Sequence, residues 1–179
     1  MQAAKSGEVY ALTKEHGLFV LDGDRGAAVR CGGGELVLRK IVLDDEHLYA
    51  LGSEHRLYRV TRQPCASEAV PEYDDVEDVQ RFSNGRAFAI GIDGRRFLLA
   101  SAVGRPTEPD LQGSFARYVY SSQLQIVHMT GNSEDITRYR VDADAIDAEL
   151  DASGRVAYVL TTRGIAKVDL STTVPTPWP

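Results

Sequence analysis

Apolar residues in this chain come in short blocks of three to five, separated by Gly, Asn, Asp and Ser, and seldom recur at i, i+3, i+4, i+7. Such blocks predict strands rather than amphipathic helices. They also repeat. Val9-Tyr10-Ala11-Leu12, Leu48-Tyr49-Ala50-Leu51 and Ala87-Phe88-Ala89-Ile90 place Tyr10, Tyr49 and Phe88 at steps of 39 residues, and a further step lands on Val127 in Ile126-Val127-His128-Met129. A second block follows each after a polar turn, with Phe19, Tyr58, Phe97 and then Ile136 on the same period. A fifth copy, Val156 to Leu160 with Ile165 to Asp169, follows after a step of about 31 residues, which implies a missing strand or loop.

A leading block precedes several copies: Ile41-Val42-Leu43, Val79-Gln80-Arg81-Phe82 and Ala148-Glu149-Leu150. Between leading block and first strand lie Asp44 to His47, Ser83-Asn84-Gly85-Arg86 and Asp151-Ala152-Ser153-Gly154-Arg155, and the Asn-Gly and Ser-Gly pairs supply positive φ at little cost. Each repeat therefore predicts a three-stranded antiparallel meander with a variable outer strand, such as Ala27 to Cys31. The first copy shows no clear leading strand and the last no trailing one. Thr172 to Trp178 offers an edge for a strand exchange, which Pro175, Pro177 and Pro179 oppose. Asp142 to Leu150 is the best helix candidate. Repeats of this length built from small sheets predict an all-β chain, a small β-propeller of about five short blades within a single domain over 1–179, with 171–179 a Pro-rich tail. An open or half propeller completed by dimerisation is the alternative.

Val9-Tyr10-Ala11-Leu12 through Gly17-Leu18-Phe19-Val20-Leu21-Asp22-Gly23-Asp24-Arg25-Gly26 resembles the blade repeat of quinoprotein-type and WD40-type propellers. The resemblance implies the fold and brings no cofactor: no Trp-Asp closes a blade, and Trp178 in the tail is the single tryptophan.

Composition adds constraints. The 179 residues suffice for a core without disulfide or metal staples. Cys31 and Cys65, 34 residues apart, lack zinc-site spacing and read as free thiols. A net charge of -6 opposes generic nucleic-acid binding and favours a basic protein partner. No apolar run reaches the length of a membrane span, and Met1 to Glu8 lacks the apolar core of a secretory leader, so no membrane and a cytoplasmic location are expected.

Several clusters invite chemistry. His16 and His55 occupy equivalent turns, yet repeat symmetry alone puts similar residues on successive hairpin tips. Asp44-Asp45-Glu46-His47 has cation-binding groups and reads more simply as a solvated turn. Asp22 to Gly26 and Asp142 to Asp147 begin like calcium loops and run out of ligands. Gly32-Gly33-Gly34 lacks the Lys-Ser or Lys-Thr of a phosphate loop. No catalytic, cofactor or metal site is therefore expected. The most informative stretch is Glu72-Tyr73-Asp74-Asp75-Val76-Glu77-Asp78, five acids in seven residues, with Tyr73 expected to offer contact surface. Glu72, Tyr73, Asp74, Asp75, Glu77 and Asp78 are thus the candidate partner-binding residues. The sequence predicts a non-catalytic protein-binding module, in its sharper form an immunity-type inhibitor of a basic toxin or enzyme; a propeller binding a small, sugar-like ligand is the alternative.

Overall fold

A computed structural model of the chain describes residues 2–3, 9–13, 17–22, 27–30, 37–44, 47–62, 65–71, 73, 75–99, 111–119, 123–131, 133–141 and 145–175. Among these there are strands and turns and no helix. Every sheet is a meander in which chain neighbours pair antiparallel, so each strand finds its backbone partners locally. The chain divides into two compact units, one of Met1–Arg81 with Arg86–Thr107, the other of Phe82–Gly85 with Glu108–Pro179.

The first unit holds three sheets. Strands β1 (Gln2–Ala3), β2 (Val9–Thr13), β3 (Gly17–Asp22) and β4 (Ala27–Arg30) form the first, and β5 (Leu38–Leu43), β6 (Leu48–Gly52), β7 (Leu57–Arg62) and β8 (Cys65–Ala69) the second. The third contains β9 (Val76–Arg81), β10 (Ala87–Gly91) and β11 (Arg96–Leu98). Tyr10 and Leu18 pack with Ile41, Leu48, Ala50 and Val60 between the first two sheets. Val42, Tyr49, Leu51 and Leu57 pack with Val79 and Ala89 between the second and third. Alternate residues of β6 thus enter different cores, which is why Leu48 to Gly52 is buried throughout and shows no polar alternation. The period of 39 has the same origin, because Tyr10 and Tyr49 each stand on the face that meets the following sheet.

The second unit has two sheets, β12 (Gln112–Val119), β13 (Gln123–Thr130) and β14 (Ser133–Arg140), then β15 (Ala145–Leu150), β16 (Val156–Thr161) and β17 (Gly164–Asp169). Leu124, Ile126, Tyr139, Leu150, Ala157 and Val159 form the core between them. Phe82 and Phe115 meet edge to face at 6.0 Å. Gly85 and Gly154 have φ of 91° and 69°, as the hairpin turns read from Asn-Gly and Ser-Gly require.

Four expectations need correction. The first sheet does have a leading strand, β1, whose Gln2 and Ala3 pair with Tyr10 and Val9; two residues are too few to show a period. The helix candidate Asp142 to Leu150 is instead strand β15 from Ala145 onward, in keeping with the leading block Ala148-Glu149-Leu150, with 142–144 outside the described residues. There Ala148 and Leu150 turn to the core while Asp147 faces solvent, a period of two that prevails over helix propensity. Ile136 pairs with Val127, whereas Phe19, Tyr58 and Phe97 pair with Ala11, Ala50 and Ala89; with Thr130 paired to Ser133, the register is shifted by one. Tyr158, in the apolar block of the fifth copy, is exposed, whereas Tyr10, Tyr49 and Phe88 of the first three copies are buried.

The short last step also has a cause. Sheets one and two add an outer strand, β4 or β8, but after β14 the chain reaches β15 within four residues. Past β17 no strand follows through residue 175: Thr173 donates from its backbone N and its Oγ1 to the Asp169 carbonyl, turning the chain away. Cys31 lies outside the described residues, as does the side chain of Cys65.

Candidate functional site

The acidic stretch joins β8 to β9. Glu72 and Asp74 lie outside the described residues. The backbone around the others is tied by a turn of its own and to the β6–β7 and β10–β11 hairpins. Tyr73 N donates to the Val70 carbonyl, Val76 N to the His55 carbonyl at 2.8 Å, and Ile92 N to the Asp75 carbonyl at 2.9 Å. His55 Nδ1 lies 3.0 Å from the Val76 carbonyl, and since a carbonyl only accepts, that nitrogen carries the proton. Arg39 Nη2 donates to the Glu77 carbonyl at 3.0 Å. His55 and Asp75 hold φ of 62°, a left-handed conformation that these bonds fix in place.

The side chains divide into two sets. Tyr73 is 7% exposed, its ring against Phe97 at 5.7 Å and its hydroxyl donating to the Leu98 carbonyl at 3.1 Å, so it anchors the stretch and offers no contact surface. Asp78 is engaged internally, accepting from Lys40 Nζ at 2.9 Å, Gln80 Nε2 at 2.5 Å and Val79 N at 2.9 Å. Asp75 and Glu77 are exposed, with the Glu77 carboxylate 3.5 Å from His55 Nδ1. On the adjoining turns stand Glu54, 3.7 Å from Arg56, and Asp93, 2.5 Å from Arg95. The Arg95 backbone N–H and its guanidinium hold the Asp93 carboxyl below the ordinary aspartate range. Two carboxylates with their own arginines thus flank two that present charge outward from a fixed backbone, an arrangement suited to cationic side chains.

The remaining sequence candidates resolve into turns where they are described. Asp44 Oδ1 accepts from His47 N, capping the hairpin between β5 and β6; Asp45 and Glu46 lie outside the described residues. His16, Gly23 to Gly26 and Gly32 to Gly34 also lie outside them. Among the described residues no group of three His, Cys, Asp or Glu side chains is placed to hold a metal ion.

One constellation escapes sequence reasoning. Ser114, His128 and Asp135 are direct cross-strand partners on β12, β13 and β14, so they project from one face in a row, with Ser114 Oγ 2.5 Å from His128 Nδ1. Only the meander register reveals it. His128 and Asp135 are exposed, and no hydrogen bond or ion pair joins them among the described contacts. The row therefore lacks both the orienting bond and the exclusion of water that activate a serine.

No family model and no curated protein matches the chain. Several solved structures do, among them "Dihydro-heme d1 dehydrogenase NirN in complex with DHE", at 13% identity and a TM-score of 0.46, covering 99% of this chain and 44% of that one. The chain thus spans less than half the length of that protein.

Proposed function

We propose that the chain is a non-catalytic protein-binding module, a propeller-like array whose five meanders are blades and whose partner is a basic protein. In its sharper form it is an inhibitor of the immunity type, covering the active site of a basic toxin or nuclease in the same cytoplasm. What supports this most is the clamp on residues 75–77: the β6–β7 and β10–β11 hairpins and Arg39 of β5 hold the backbone while Asp75 and Glu77 are exposed. Charge presented on a rigid backbone costs little ordering entropy on binding. The blade architecture is favoured by first strands lying side by side in successive sheets, β5 by β9 and β12 by β15.

Affinity capture from cytosol with mass spectrometry tests it, using the wild type beside Asp75→Asn/Glu77→Gln. Asn tolerates the left-handed φ at 75, so the variant loses charge without backbone strain. A stoichiometric basic protein, retained by the wild type and held at least tenfold more weakly by the variant, is expected. Equal retention by both would remove the acidic connection from the interface.

A further inference from the structure

Sheet β15–β16–β17 differs from the second sheet in how its two faces are used. One face builds the core of the second unit through Ala157 and Val159, but the other bears Tyr158, Leu160 and Ile165 at 46%, 42% and 66% exposure. Ile146, the extra residue of a bulge opposite β16, is exposed beside them. Four large apolar side chains on one small sheet face form the kind of contiguous patch that marks an interaction site.

The register shows what fits it. Three cross-strand rows run over this face: Asp147–Leu160–Ile165, Glu149–Tyr158–Lys167 and, beyond the end of β15, Val156–Asp169. β15 therefore presents Asp147 and Glu149, β16 the aromatic and aliphatic bulk in the middle, and β17 Lys167 between Ile165 and Asp169. A two-fold axis along β16 superposes β15 of one copy on β17 of the other while keeping each row level. Glu149 then opposes Lys167 of the second copy, Lys167 opposes its Glu149, and Tyr158 and Leu160 meet their own counterparts. An axis across the strands would instead set acids against acids.

We infer that this face is a homodimer interface, with two copies packed sheet on sheet about an axis along β16. The contact is self-complementary as two-fold symmetry demands, apolar at its centre and charged at its margins. Three strands of six residues span about 14 by 20 Å. That is well short of the ~800 Å² per partner of a standard interface, so the dimer is weak.

Sedimentation velocity of the full chain over a concentration series provides the test, with Leu160→Asp, Glu149→Lys and Lys167→Glu beside the wild type and circular dichroism to verify folding. Leu160 is already exposed, so its substitution disturbs no core. Dimerisation of the wild type and a loss of at least tenfold in each single variant are expected, with recovery when Glu149→Lys and Lys167→Glu are mixed, since both crossing contacts are then of opposite sign. A monomer at all concentrations overturns the proposal, as does a dimer that the variants leave unchanged. Dimers weakened by Leu160→Asp but not rescued by the mixed charge variants overturn the axis. None of these outcomes depends on Asp75 or Glu77, so the basic-partner reading stands or falls separately.

Discussion

Asp151 shows how much of this fold rests on single turn residues. Its carboxylate accepts from Ser153 Oγ at 2.7 Å and from the backbone N of Arg155 and Val156, each at 3.0 Å, tying the turn that joins β15 to β16. Those bonds, the Ser153 hydroxyl foremost, hold the carboxyl below the ordinary aspartate range. A depressed folded-state value means that its stabilisation is complete above the unfolded value and is lost as the pH falls through the folded one. In urea denaturation Asp151→Asn should therefore lie below the wild type at neutral pH, and the gap should close as the pH drops from about 4 toward 2. A gap independent of pH would show that the amide fails for reasons of shape rather than charge. Gly113 is a second such position. A Cβ there would stand 2.7 Å from Phe82 Cγ, and the Phe82 ring is buried and packed edge-on against Phe115. Gly113→Ala should cost about 2 kcal/mol by the same measurement, in the range of core overpacking; an unchanged midpoint would mean that the ring moves freely.

At the scale of strands, legibility followed burial. β6 and β10 are easily read because both faces are buried, and Leu48 to Gly52 and Ala87 to Gly91 are correspondingly apolar. β1 cannot be read from the sequence, since a strand of two residues is too short to show a hydrophobic period. β15 was ambiguous because Asp142 to Leu150 mixes small, acidic and apolar residues, and its strand state is decided by Leu150 and Ala148 meeting a core assembled from distant residues. Tyr73 misled for a related reason. An aromatic among acids suggests surface, but its partners Phe97 and Leu98 lie some 25 residues on, beyond any local signal. The same burial logic predicts backbone protection. β13 pairs along its whole length on both sides, whereas β17 is an edge strand with most of its residues exposed. Hydrogen exchange should be slowest in Leu124 to Met129 and faster by orders of magnitude at the outer edge of β17. Equal protection of the two would mean that the β17 edge is covered in solution.

For the whole molecule, of net charge -6, the two proposed interaction surfaces differ in character. In the proposed function Asp75 and Glu77 attract the partner at long range, and that attraction is screened beyond about 8 Å at physiological ionic strength. The exposed face of the last sheet acts through Tyr158, Leu160 and Ile165, whose burial added salt does not weaken, and salt also screens the repulsion between two like-charged copies. Ionic strength should therefore separate them. Raising sodium chloride from about 50 to about 500 mM is expected to slow association with the basic partner tenfold or more, an effect seen in the association rate because rim charges steer encounter. Over the same range the self-association constant should change by no more than about threefold, its marginal Glu149–Lys167 contacts weakening while the like-charge repulsion fades. Surface plasmon resonance for the first and sedimentation velocity for the second would measure both. If the two fell together, a single charged surface would serve both contacts, and the division of this molecule into an acidic connection and an apolar terminal sheet face would be wrong.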